Sequence, residues 1–232
     1  MHEAPASRVV MISGANRGIG KILSEQLRQA GWRVSAGVRD IASLPSGPGL
    51  FVHEFDAKRH QEKDWVDATL AHYGRIDALI ANAGVMIPAS IVDISDDDMD
   101  TMLTVNLRSP IRLVQAAWPF LKACKRGRVI ILASLSGKRV KSALSGPYAI
   151  TKHAAVALAH SIKKTGWADG IRATAVCPGF VATDMARSIT SKDDAEMTQP
   201  DDIARMILAV LDLPNTANVA ELSISCSEED LY

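Results

Sequence analysis

A chain of 232 residues, 47% of them apolar, is long enough for one large α/β domain and too short for two comfortable ones. Its 26 Lys and Arg equal its 26 Asp and Glu, so no basic excess points to nucleic acid or to an anionic membrane surface. The 3 cysteines (Cys124, Cys177, Cys226) are widely spaced, which suits a reduced, cytoplasmic protein rather than a disulfide framework, and neither they nor the 6 histidines fall at metal-ligand spacing.

In chain order, a tail over 1–7 leaves no room for a signal peptide, a single domain is expected over 8–226, and a second tail follows over 227–232. The first strand candidate, Arg8–Ser13, runs into a glycine-rich loop. Ile19, Ile22, Leu23, Leu27 and Ala30 then form a helical stripe closed by Gly31. Strands follow at Arg33–Val38 and Leu50–Phe55, separated by the turn-rich Pro45–Pro48, and a fourth at Asp77–Ala81. Ser95 with Asp96–Asp98 reads as an N-cap and acidic first turn, opening a long helix toward Ala123 rather than a metal site. Further strands are expected at Gly127–Ala133, Ile171–Cys177 and Ala220–Ser225, with Thr198, Pro200 and Asp201 opening the last helix. Strands alternating with helices predict a doubly wound parallel sheet with helices on both faces. No apolar run is long enough to span a bilayer, so no membrane partner is expected.

The loop after the first strand reads Ser13-Gly14-Ala15-Asn16-Arg17-Gly18-Ile19-Gly20. Glycines there let the backbone turn tightly and approach a pyrophosphate, which the following helix N-terminus would hold. After the second strand, Arg39 precedes Asp40. Guanidinium groups at Arg17 and Arg39 would grip a 2′-phosphate and favour NADP(H), whereas Asp40 holding a ribose hydroxyl would favour NAD(H). Two arginines against one displaced acid make NADP(H) the expectation, with NAD(H) possible.

Tyr148 and Lys152 stand four residues apart, on one face of a helix. Ser134 lies fourteen residues before Tyr148, at the end of an apolar run. A phenol, an ammonium and a hydroxyl are the groups needed to pass a proton to or from a carbonyl. A lysine beside the phenol is expected to lower its pKa toward the working range of an acid–base catalyst.

With these motifs in order, together with Asn82-Ala83-Gly84, Asn106 in Thr-Val-Asn-Leu, and Pro178-Gly179, the chain resembles the short-chain dehydrogenase/reductase family from Val9 to about Ser225. The resemblance implies a single-domain Rossmann-type sheet of about seven strands and a catalytic tetrad of Asn106, Ser134, Tyr148 and Lys152. Tyr148 would be the general acid or base, Lys152 would tune it and bind the nicotinamide ribose, Ser134 would bond the substrate oxygen, and Asn106 would organise a water. It also implies cofactor contacts from Gly14, Asn16, Arg17, Gly18, Ile19, Gly20, Arg39, Asp56, Asn82, Ala83, Gly84, Pro178, Gly179, Val181 and Thr183, and a homodimer or homotetramer. Against the family pattern, Ser13 replaces a threonine, Ala81 replaces an asparagine, and the Ser134–Tyr148 loop is one residue longer. Ser136 therefore competes with Ser134, which is preferred because it sits where the strand ends. Lys138, Arg139 and Lys141 in that loop either draw in an acidic substrate or form a solvated loop, and the solvated loop is the simpler expectation.

The expected activity is interconversion of a carbonyl and a secondary alcohol by an NADP(H)-dependent oxidoreductase acting on a small molecule. The alternative is a non-catalytic NADP-binding sensor of the same fold; an epimerase or dehydratase is disfavoured by length. The segment expected to cover the substrate, Ala186–Thr198, is short and polar, which disfavours a steroid or long acyl chain.

Overall fold

Each of the seven apolar runs becomes a strand in the structure, a computed structural model that describes residues 7–228. Residues 1–6 and 229–232, most of the two expected tails, lie outside the described residues. The strands are β1 (Val9–Ser13), β2 (Arg33–Val38), β3 (Leu50–Glu54), β4 (Ala78–Ala81), β5 (Arg128–Leu132), β6 (Arg172–Pro178) and β7 (Glu221–Ile224). All pair in parallel, in the order β3-β2-β1-β4-β5-β6-β7. The helices are α1 (Gly18–Gln29), α2 (Glu62–Tyr73), α3 (Asp96–Leu103), α4 (Ser109–Ala123), α5 (Gly146–Gly166), α6 (Asp184–Arg187) and α7 (Pro200–Asp212).

β1, β5 and β6 are buried along their whole length, which is why they read as continuous apolar runs. Side chains alternate between two cores. Met11, Leu79, Val129 and Ile131 face α2, α4 and α5, whose Trp65, Leu113, Leu121 and Ile162 pack against them. Val10, Ile12, Ile80 and Ile130 face α1 and α7 through Leu23, Leu27, Ile203 and Ile207. From β1 the chain winds outward through β2 and β3, then crosses back to β4 on the other side. The loops leaving β1 and β4 therefore diverge and open a crevice at the carboxyl edge of the sheet.

At the opposite edge, Arg128 and Arg172 are 3% and 8% exposed without an acidic hydrogen-bond partner among the described residues. Arg128 donates to the Leu213 carbonyl at 2.5 Å, where α7 ends, and Arg172 donates to the Trp167 carbonyl at 3.0 Å, where α5 ends. The negative ends of two helices thus stand in for carboxylates. Burial, and then repulsion from Arg126 and Arg172, pushes the Arg128 guanidinium down to about 10.

Two expectations about helices need correction. The helix opened by Ser95, whose hydroxyl accepts from the Asp98 N–H at 3.1 Å, does not run as one α-helix to Ala123. A π turn at Thr104–Arg108 widens it between α3 and α4, because the Asn106 side chain is drawn inward to main-chain partners. The last helix is capped by Gln199, whose N–H donates to the Asp202 carboxylate at 3.3 Å, rather than by Thr198. Thr198 is held in extended pairing with Val181. Among the described residues no helix is long and apolar enough to cross a membrane.

Candidate active site

A cavity of about 1010 Å³ opens at the carboxyl edge of the sheet, over the crevice between the β1 and β4 loops. Its floor at one end is the glycine loop. Gly14 and Gly18 take φ of +66° and +52°, a region that side chains with a Cβ avoid. Gly20 does not line the cavity: a Cβ there would fall 2.3 Å from the Gly14 carbonyl oxygen, so this glycine lets α1 close against the loop. Ser13 Oγ accepts from the N–H groups of Asn82 (3.1 Å) and Ala83 (3.0 Å), while Asn82 Nδ2 donates to the carbonyls of Ser13 (2.9 Å) and Gly14 (3.1 Å). The β1 and β4 loops are thereby clamped at their bases, before they diverge. α1 starts without a side-chain cap and without an acid in its first turn, leaving its N–H groups and positive dipole end toward the cavity. A water-sized gap would need none of this; a phosphate would fit it.

Near this end Arg17 and Arg39 line the wall, with Asp56 and Lys58. Asp40 does not line it: its carboxylate accepts from the Ala42 N–H at 2.9 Å and caps a short 3-10 turn. Asn16, which also lines the wall, donates to Ser43 Oγ at 3.1 Å and ties the glycine loop to that turn.

At the other end stand Ser134, Tyr148 and Lys152. Tyr148 and Lys152 rise from the first turns of α5 and are 7% and 4% exposed. Ser134 follows β5; its Oγ accepts from the Ser136 N–H at 3.0 Å and donates to the Pro178 carbonyl at 3.4 Å. Gly137 lets the turn of Leu135–Gly137 lie flat on α5, since a Cβ there would fall 2.6 Å from the Lys152 carbonyl oxygen. Ser136 lines the cavity too, and of the two serines Ser134 is the one whose hydroxyl acts on the Tyr148 phenol, pulling its pKa down. His153 faces its own helix, 2.8 Å from the Ala149 carbonyl.

Asn106 does not line the cavity. Its Oδ1 accepts from the Val85 N–H at 2.9 Å, and its Nδ2 donates to the Val85 carbonyl at 2.9 Å and to Thr151 Oγ1 at 3.0 Å. The side chain is thus bonded to the chain after β4 and to α5.

The expected lowering of the tyrosine pKa is overturned. Burial pushes the Tyr148 phenol up to about 12, against a smaller downward pull from the Ser134 hydrogen bond. Burial likewise pushes the Lys152 ammonium down to about 8. Lys152 Nζ donates to the Leu132 carbonyl at 2.7 Å and sits 5.6 Å from the Tyr148 ring centre, over the ring face. Desolvation of both groups outweighs their proximity.

Gly14, Asn16, Arg17, Gly18, Ile19, Arg39, Asp56, Asn82, Ala83, Gly84, Pro178, Gly179, Val181 and Thr183 all reach the cavity wall. Met86, Leu144, Phe180 and Met185 reach it as well, and no motif in the sequence marks them. Their only signal is position, each in a segment that follows the carboxyl end of a strand. They add apolar wall from outside the polar Ala186–Thr198 segment.

A doubly wound parallel sheet with a glycine-rich first turn, and a crevice where the strand order reverses, defines the class of dinucleotide-binding α/β proteins. The sequence profile of the family described as short chain dehydrogenase matches residues 8–194, and the chain belongs to that family. It is similar to an agropine synthesis reductase of Rhizobium rhizogenes, with 36% identity over 239 residues covering 100% of this chain and 55% of that protein. The chain therefore spans about half the length of that relative. Among solved structures it is similar to an alcohol dehydrogenase from the archaeon Thermococcus sibiricus complexed with 5-hydroxy-NADP (TM-score 0.88, 26% identity, 97% of this chain and 100% of that one). A short chain dehydrogenase from Burkholderia cenocepacia J2315 in complex with NADP is also similar (TM-score 0.86, 25% identity, 96% of this chain and 97% of that one).

Proposed function

We propose that the chain is an NADP(H)-dependent oxidoreductase that interconverts a carbonyl and a secondary alcohol, with Tyr148 as its general acid or base. The observation that carries this reading is Tyr148, Lys152 and Ser134 together in the wall of a cavity whose other end is a glycine loop and an open helix start. The volume suits a dinucleotide and a substrate side by side, at the upper end of the roughly 300–1,000 Å³ typical of ligand sites.

The N–H groups opening α1 and the loop of Gly14, Asn16, Gly18 and Ile19 would hold the pyrophosphate. Arg17 and Arg39 would take a 2′-phosphate, supported by Asp40 being occupied as a cap and by the NADP-type ligands of the two similar structures. Asp56 would meet the adenine, with Asn82, Ala83 and Gly84 along the middle of the cofactor. Pro178, Gly179, Val181 and Thr183 would wall the nicotinamide end. A bound nicotinamide supplies or accepts the hydride.

The chain's own part is to hold the substrate oxygen and move its proton. Ser134 Oγ donates to that oxygen and Tyr148 Oη delivers or removes the proton. With its pKa raised to about 12, the phenol stays protonated across neutral pH, the form needed to protonate a developing alkoxide in reduction. Lys152 stands beside it as the cation, and Asn106 locks the β4 loop to α5 so that the pair keeps its place.

The test is a screen of carbonyls and alcohols with NADPH and NADH in parallel, followed by nicotinamide absorbance. Turnover should be found with NADPH preferred, and Tyr148→Phe should lower it by about a hundredfold or more while NADPH binding stays intact. Undiminished turnover in that variant would remove Tyr148 from the chemistry, and a preference for NADH would remove the argument from Arg17 and Arg39.

A further inference from the structure

The basic residues of the loop after Ser134 do not share one fate. Lys138 turns away from the cavity and pairs with Glu221 of β7, which also meets His160 Nε2 of α5 at 2.9 Å. Lys141 lines the cavity, with its Nζ held 4.3 Å from the centre of the Phe180 ring. That contact joins the loop after β5 to the loop after β6 at the cavity wall. Arg139, from the same loop as Lys141, and Lys192 also line the wall.

Neither Lys141 nor Lys192 has an acidic partner among the described residues. The acid on that part of the wall, Asp184, is already engaged by Arg187 at 2.9 Å and lies 4.0 Å from Arg17. The same wall carries the apolar side chains of Leu144, Phe180, Met185 and Ile189 beside the hydroxyls of Ser142, Ser145, Ser188 and Thr190. A neutral or cationic substrate would leave both ammonium groups without a counter-charge beside it. A compact carbonyl compound with an apolar body and an anionic end would meet both features at once.

Resting on the oxidoreductase reading, we infer that the substrate is a small carbonyl compound carrying a carboxylate or phosphate, whose charge Lys141 and Lys192 receive at the mouth of the cavity. An exposed Lys141 and a half-buried Lys192 give modest selectivity rather than an absolute requirement, since each solvent-accessible ion pair contributes up to about 1 kcal/mol, a factor of about five.

The test uses matched pairs with NADPH: 4-oxopentanoate against its methyl ester, and dihydroxyacetone phosphate against dihydroxyacetone. The charged member of at least one pair should have the higher kcat/KM by about tenfold, and the pair that shows it identifies carboxylate or phosphate as the anion. Lys141→Gln with Lys192→Gln should remove that preference and leave NADPH affinity unchanged. Binding of the same compounds to NADPH-loaded protein, read by NADPH fluorescence, gives a result without turnover. Equal treatment of charged and neutral members, or a preference that survives both substitutions, overturns the inference while leaving the oxidoreductase reading intact. Selective anion binding that depends on the lysines, with no turnover of any member, shows a cationic wall but no anionic carbonyl substrate, and so overturns the inference while the oxidoreductase reading stands or falls by the wider screen.

Discussion

Lys152 and Tyr148 are adjacent, yet burial moves both away from their charged forms. For Lys152 this has a consequence in stability. Its ammonium titrates near 8 in the folded protein against 10.5 in the unfolded chain, so between those values the unfolded chain binds the extra proton. Stability attributable to this residue therefore rises with pH from about 8 to 10.5, and below that window the cost of burying the charge is fully present, about 3 kcal/mol. Lys152→Met is expected to unfold at higher urea concentration than the parent at pH 7.5, with the gap closing toward pH 10 in parallel urea melts. A gap independent of pH would mean that Lys152 is better solvated than its surroundings indicate. The sequence pairs these two residues correctly, but the direction of each shift depends on how much of the molecule covers them, which spacing on one helix does not contain.

The elements that carry the chemistry are held by a few close fits. The π turn lets one side chain, Asn106, satisfy both main-chain groups of Val85 and reach Thr151 on α5. Asn106→Ala would leave that half-buried N–H and carbonyl without their side-chain partner, at a cost of about 1–3 kcal/mol in unfolding free energy by urea titration. It would also loosen the β4 loop from α5, lowering turnover more than NADPH affinity. A loss of stability near zero would show that water replaces the amide. This device was invisible beforehand because the acidic start at Ser95 and the apolar periodicity behind it describe an ordinary helix equally well. The glycine loop, by contrast, was legible: φ above zero at Gly14 and Gly18, and the close packing of Gly20, are demands that few residues but glycine meet.

For the molecule as a whole, two cores flank one sheet, and its two edges do different work. The carboxyl edge opens the cavity, while the other is closed by Arg126, Arg128 and Arg172 on the carbonyl ends of α5 and α7. Arg128→Met would strip donors from the Leu213 carbonyl and Asn215 Oδ1 at a buried position, and is expected to cost about 2 kcal/mol by thermal or urea unfolding. Because the residue is far from the cavity, NADPH affinity of the folded variant should match the parent; a changed affinity would mean that the two edges are coupled through the sheet.

The sequence by itself determined the seven strands, their parallel order of construction and the motifs of the dinucleotide end. Strands buried on both faces must be mostly apolar, and a phosphate turn favours glycine, so both constraints are local and readable. Only the tertiary structure decided which of Lys138 and Lys141 faces the cavity, that Asp40 is occupied as a cap, and that Met86, Leu144, Phe180 and Met185 form an apolar wall. Those outcomes depend on loops from different strands meeting in space, where neighbours in the fold are distant in the chain and no spacing records the encounter.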